Sequence, residues 1–189
     1  MKETAKLEIK RLGPHDSAER ADRDARLISV LGHTALYEAY YRQDDSYNAA
    51  RYITETYAPD RLASELLDPT ITYFVIYQDE KAVGFAKFRS GGTHESVTSR
   101  NAVELQRIYI IEHVYATGVG EHLLKFCLDH ARSKGFDTLW LGVWEENLRA
   151  RRFYEKHGFR RVGTVTFPYA DAVGINHVMQ IDLAKKAAV

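Results

Sequence analysis

"VYATGVGEHLL", residues 114–124, sets Gly118 and Gly120 between the strand-like run "AVELQRIYII" and an apolar run with helical spacing. A strand, a turn rich in backbone N–H groups and the positive end of a helix together form an anion site, with phosphate the usual guest. A nucleoside-triphosphate loop requires Gly-Lys followed by Ser or Thr, and no such triplet occurs in the chain. A dinucleotide fingerprint requires a third glycine three residues beyond Gly120, where Leu123 stands. What is left is a short turn whose amides from Ala116 to Gly120 point at a pyrophosphate, or a plain helix start that carries the same two glycines. The loop alone does not decide between them.

Outward from the loop, the pattern of apolar residues predicts the elements. On the N-terminal side "KLEIKRL" (6–12) alternates as a strand does, and residues 17–41 read as a long helical region that Gly32 interrupts. Residues 46–58 and 60–68 read as two shorter helices, the second ended by Pro69. Two strand-like runs around a polar turn make a hairpin of 71–88, and the small polar residues 89–101 make a surface connection to the strand at 102–111. On the C-terminal side Leu124, Cys127, Leu128 and Ala131 share a helical face, with Gly135 placed to cap the helix. A buried-looking strand "DTLWLGVW" follows. The helix "NLRARRFYEKHG" then puts Ala150, Phe153, Tyr154 and His157 on one face and closes at Gly158. Runs at 159–167 and 175–183 supply two last strands. The order of strands and helices predicts an α+β fold built on a mixed, mostly antiparallel sheet of about seven strands.

Composition sets outer limits. A chain of 189 residues buries one substantial core, so a single domain over 1–189 is expected. The 26 basic and 26 acidic residues cancel, which removes the field that draws a protein onto nucleic acid or an anionic membrane. No apolar run reaches the length of a membrane span, and "MKETAKLEIKRLG" lacks the apolar block of a signal peptide, so a cytoplasmic protein is expected. Cys127 has no cysteine to pair with and reads as a small apolar helix residue, and the eight histidines lack the i, i+4 spacing of a metal helix. No metal is expected.

The loop gains meaning beside "ENLRARRFYEKHGF" (146–159), which has the pattern N-x-x-A-x-x-F-Y-x-K-x-G-F. Together with "LQRIYII" and "YATGVG" in that order and spacing, it resembles the GCN5-related N-acetyltransferase (GNAT) family, strongly over residues 102–160. One departure stands out: the family's usual Gln or Arg at the head of Q/R-x-x-G-x-G is Tyr115 here. The segments "TALYEAYY", "YITETYAPDRLASELLDP", "VGFAKF" and "ELQRIYI" are similar to the bacterial spermidine/spermine acetyltransferase branch.

The resemblance implies a three-layer fold with the N-terminal strand and acceptor-side helices in 1–69, an acetyl-CoA core in 102–160 and C-terminal strands in 161–183. It implies acetyl-CoA as the acetyl donor and a small amine, most readily a polyamine, as the acceptor; a homodimer is left open. The strand residues Ile108, Tyr109 and Ile110 would pair through their backbone with the pantetheine arm. The loop residues Tyr115, Ala116, Thr117, Gly118, Val119 and Gly120 would take the pyrophosphate at the helix N-terminus. Asn147 would hydrogen-bond the pantetheine amides, with Ala150 and Tyr154 in the same groove.

Two residues are the catalytic candidates. Tyr154 would donate a proton, or a hydrogen bond, to the leaving sulfur, since an ordinary phenol stays protonated at neutral pH. Glu104 would take the proton from the ammonium, directly or through water, against the alternative of a solvated strand carboxylate. A polyamine site should gather carboxylates, and Asp44, Asp45, Glu104 and Glu145 are the candidates. Two other readings stay open: transfer to a protein amine, an amino acid or an antibiotic, and a regulatory module that binds acetyl-CoA without turnover. Tyr154 weighs against the last, because a pure binding module needs no proton donor at the sulfur.

Overall fold

The computed structural model describes residues 5–40, 45–169 and 172–183. Its elements are β1 (Leu7–Leu12), α1 (Ala18–Tyr40), α2 (Ser46–Thr56), α3 (Pro59–Leu67), β2 (Ile71–Gln78), β3 (Lys81–Arg89), β4 (Ala102–Ile110), α4 (Val119–Ser133), β5 (Thr138–Trp144), α5 (Leu148–Lys156), β6 (Arg160–Tyr169) and β7 (Ala172–Asp182). Hydrogen bonds link the strands in the order β1-β2-β3-β4-β5-β7-β6. β1 with β2, β5 with β7 and β6 with β7 pair antiparallel, while β4 and β5 run parallel, so the sheet is mixed as the sequence predicts. The chain divides into two compact units, Met1–Phe88 with Arg107–Lys125, and Arg89–Gln106 with Phe126–Val189.

In the first unit α1, α2 and α3 bury their apolar faces on one side of β2 and β3. Ala21, Ala25, Ile28, Leu36, Ile53, Leu62 and Leu66 from the helices meet Ile71, Tyr73, Val75 and Phe85. The alternation is that of a strand: Phe74 points the other way and packs edge-on against Phe88. Asp79 and Glu80, both with positive φ, make the two-residue turn that joins β2 to β3.

Gly32 does not interrupt α1, which runs unbroken from Ala18 to Tyr40. Glycine inside a helix costs about 1 kcal/mol relative to alanine. Here it has a packing reason, because a Cβ at Gly32 would sit 2.3 Å from the ring of Tyr57. The missing side chain lets that ring lie directly on the helix. The last residue of the predicted helix, Tyr41, lies outside the described residues.

In the second unit β5, β7 and β6 form an antiparallel ladder, with Trp140 opposite Gln180 and Gly142 opposite Val178. The parallel register of β4 with β5 is short, from Ala102↔Thr138 to Glu104↔Trp140, and β4 itself runs on to Ile110. Cys127, Leu128 and Ala131 on α4 are buried as their spacing predicts. Burial pushes the Cys127 thiol well above its ordinary pKa, so it stays a protonated apolar residue. Gly135 (φ +81°) and Gly158 (φ +88°) lie just past the ends of α4 and α5, in the left-handed conformation that suits glycine at a helix end.

Candidate active site

After β4, a single 3-10 turn, Glu112–Val114, bends the chain, and the Glu112 N–H donates to the Glu38 carboxylate of α1 at 2.6 Å. Thr117 Oγ1 donates back to the Val114 carbonyl at 2.7 Å. Ala116 (φ +60°) and Gly118 (φ +90°) are both left-handed, one residue apart. For alanine that conformation costs about 1–2 kcal/mol, a cost met where surrounding structure imposes it. The first i→i−4 bond of α4 runs from the His122 N–H to the Gly118 carbonyl at 2.9 Å, so Val119 and Gly120 present their N–H groups at the helix start. N–H groups left without intrahelical partners at a helix start are donors of the kind that suit an anion.

The two glycines differ in what they allow. At Gly118 a side chain would meet nothing within 4 Å, and only the positive φ selects glycine. At Gly120 an added Cβ would meet only Ile110 Cδ1, at 3.3 Å. Tyr115, the departure from the family pattern, closes the 3-10 turn through its N–H to the Glu112 carbonyl at 2.9 Å. Its backbone role is independent of its side chain. Ile108, Tyr109 and Ile110 form the last turn-side residues of β4, and the Tyr109 carbonyl lies so near β3 that a Cβ at Gly84 would fall 2.5 Å from it.

The other candidates belong to the second unit. Asn147 is the N-cap of α5: its Oδ1 accepts from the Ala150 N–H at 3.0 Å. The side-chain carbonyl is thus used inside the helix start, which leaves the amide group for any ligand. Tyr154 is buried at 7% exposure, its ring edge-on to Phe153 and tilted against Phe159, both at 5.5 Å. Glu104 is half-buried on β4, and a Cβ at Gly92 would lie 2.9 Å from its Oε2, so the carboxylate rests against the connection from β3. Of the polyamine carboxylates, Asp45 N-caps α2, accepting from the Tyr47 and Asn48 N–H groups at 3.0 and 3.1 Å. Asp44 lies outside the described residues.

Sequence reasoning missed a polar cluster inside the first unit. Lys87, 3% exposed, donates to Glu65 Oε2 at 2.7 Å, and the Tyr73 hydroxyl donates to the same oxygen. Burial pulls the Lys87 ammonium down to about 8, against the pull of Glu65 and with the help of Arg107. Burial also works against the Glu65 carboxylate, but Lys87 and the two hydrogen bonds outweigh it and hold its pKa below the ordinary value. Nearby, the Arg107 guanidinium stands 4.9 Å over the ring of Tyr57. Desolvation pushes the phenols of Tyr57, Tyr73 and Tyr109 up, so all three stay protonated. A lysine inside the apolar run "VGFAKF" was the available signal, since a charge in a buried strand needs a partner.

Comparison with known proteins gives the class. Residues 34–159 match the Acetyltransferase (GNAT) family, and the chain belongs to that family. An N-acetyltransferase of Mycobacterium tuberculosis, itself uncharacterised, is 32% identical over 118 residues, which cover 62% of this chain and 71% of that one. The spermine/spermidine N(1)-acetyltransferase of Bacillus subtilis is 28% identical over 93 residues, covering 49% of this chain and 61% of that protein. Among solved structures, the PaiA N-acetyltransferase of Thermoplasma acidophilum in complex with coenzyme A superposes with a TM-score of 0.72 at 18% identity, over 94% of this chain and 99% of that one. That likeness establishes the fold. Among the described residues no group of histidine, cysteine, aspartate or glutamate is placed to hold a metal ion, and no helix is long and apolar enough to cross a membrane.

Proposed function

We propose that residues 1–189 act as one N-acetyltransferase domain that moves the acetyl group of acetyl-CoA to a small primary amine. The observation that carries this reading is the turn Tyr115–Gly120, with left-handed Ala116 and Gly118 ahead of the N–H groups of Val119 and Gly120. Backbone donors at a helix start suit a pyrophosphate. The β4 residues Ile108, Tyr109 and Ile110 then offer strand-like backbone pairing to the pantetheine amides, and the Asn147 amide adds one more donor.

In this reading the amine, once deprotonated, attacks the thioester carbonyl, and the tetrahedral adduct collapses with departure of the CoA thiolate. Glu104 accepts the proton from the ammonium, directly or through water. Tyr154 donates to the sulfur as charge builds there. Its helix carries it next to Ala150 and the Asn147 cap, and its packing against Phe153 and Phe159 fixes the ring. A ring held in place spends no orientational freedom at the moment of reaction.

Polyamines are the acceptor class that the Bacillus relative suggests. The commitment of Asp45 to capping weakens that suggestion, and the charges of the first unit favour a different amine. Isothermal titration with acetyl-CoA, followed by CoA release across spermidine, spermine, diamines, amino acids and aminoglycosides, tests the proposal. Binding of acetyl-CoA with turnover of at least one amine is expected; binding without turnover of any amine would favour a regulatory module instead. A cytoplasmic location is part of the proposal, in keeping with the single buried Cys127.

A further inference from the structure

We infer that the amine acceptor carries a carboxylate, and that Arg107 and Tyr57 in the first unit bind it; this rests on the N-acetyltransferase reading above. Two buried polar atoms there, Arg107 Nη1 and Tyr57 Oη, have no hydrogen-bond partner among the described residues. Tyr57 is wholly buried, and the guanidinium lies over its ring, so the two unmade bonds belong to one place. Each unmade bond of a buried donor costs about 1–3 kcal/mol, more for a charged group.

Charge and donor type both select the guest. Glu65 is matched by Lys87 at 2.7 Å, with the exposed Arg61 3.6 Å away, and among the described residues this leaves the Arg107 charge without a carboxylate of its own in the cluster. A guanidinium has five N–H donors and no acceptor, and a protonated phenol offers its O–H. Two donors and one uncompensated positive charge fit a carboxylate, which Arg engages through two parallel bonds. A polyamine brings only donors and like charge, and would be repelled. Tyr52 and Tyr109 pack against the same core and add an aromatic wall, which suits the carbon skeleton between amine and carboxylate. The upward shift of the Tyr57 phenol through burial keeps its O–H available as a donor.

Amines that differ by one carboxylate make the test: ornithine against putrescine, lysine against cadaverine, tyrosine against tyramine. For the wild type the carboxylated member of at least one pair should have a kcat/KM at least tenfold higher. Arg107→Gln should bring that ratio close to one through a raised KM for the amino acid. Arg107→Lys, which keeps the charge without the fork, should give an intermediate ratio. Tyr57→Phe should lower the ratio several-fold; if Tyr57 were packing alone, losing an unmatched hydroxyl would hold or raise the melting temperature and leave the ratio unmoved. Acetyl-CoA binding together with better turnover of spermidine or the diamines than of the carboxylated amines would overturn the carboxylate site and leave the acetyltransferase standing. Failure to bind acetyl-CoA would overturn both.

Discussion

Tyr154 and Tyr57 are both buried tyrosines, yet they sit in opposite kinds of surroundings. The Tyr154 ring packs against Phe153 and Phe159, its sequence neighbours on α5 and just before the next strand. The Tyr57 ring lies under a guanidinium from β4 and against Gly32 of α1 and Phe85 of β3. A tyrosine placed by local neighbours can be found from a motif, and its role follows from the motif. One placed by four elements is found only after folding, and its role follows from unmet bonds and unbalanced charge. In the proposed reading the two positions divide the reaction: chemistry at the sulfur in the one case, choice of acceptor in the other.

The largest expected effect breaks the first half of that division. Tyr154→Phe keeps the ring and removes the donor, and general-acid help is worth about 10²–10⁴ in rate, so kcat should fall by that factor with acetyl-CoA Kd within a few-fold of the parent. A kcat within about twofold, measured where chemistry limits turnover, would return Tyr154 to packing.

The second half is sharpened by the pair that frames Arg107. Lys87→Met leaves the Glu65 carboxylate buried without its partner and should cost about 3–5 kcal/mol in urea unfolding, while adding Glu65→Gln should recover much of the loss. The same lysine gives a pH signature. Its folded pKa of about 8 lies below the ordinary lysine value, so between those two values the unfolded chain holds more protons and stability rises with pH. The buried Cys127 thiol, which releases its proton only on unfolding, opposes this slope in the same window, so the Lys87 contribution should be read as the difference in melting temperature between wild type and Lys87→Met, growing from about pH 8 to 10. Above about pH 10 the buried phenols reverse the slope, because unfolded tyrosines release protons that folded ones keep. On the acid side the lowered Glu65 pKa means stability is lost as pH falls through it.

Smaller effects belong to the turn. An added Cβ at Gly120 meets only the flexible end of Ile110, so in Gly120→Val the fold should be perturbed less than ligand binding, with acetyl-CoA affinity weakened tenfold or more by titration calorimetry. An unchanged Kd in the folded variant would remove the loop from the site. Ala116→Gly releases a left-handed alanine and should raise stability by up to about 1 kcal/mol, read as a small upward shift of the melting temperature.

What the sequence revealed follows the same line between near and far. Every helix and strand from Leu7 to Asp182 was visible from spacing and from breakers such as Pro69, Gly135 and Gly158, because those signals act within one turn. Gly32 was misread because its reason, the Tyr57 ring, arrives from the other end of a later helix. The 3-10 turn at Glu112 is tied by a bond to Glu38 across 74 residues, beyond the reach of any local pattern. Asn147 carried two local signals at once, a helix cap and a ligand group, and the structure uses its oxygen for the first. The Glu65, Lys87 and Arg107 cluster draws on α3, β3 and β4, so only the charge in an apolar strand hinted at it.

Incubation with acetyl-CoA isotopically labelled in the acetyl group, followed by mass spectrometry of the acceptor amines and measurement of free CoA, tests the proposed reaction most directly. Labelled N-acetyl amine should appear in amounts equal to the CoA released, in wild type but only slowly in Tyr154→Phe. Bound acetyl-CoA with no label in any amine, or CoA released without N-acetylated product, would contradict it.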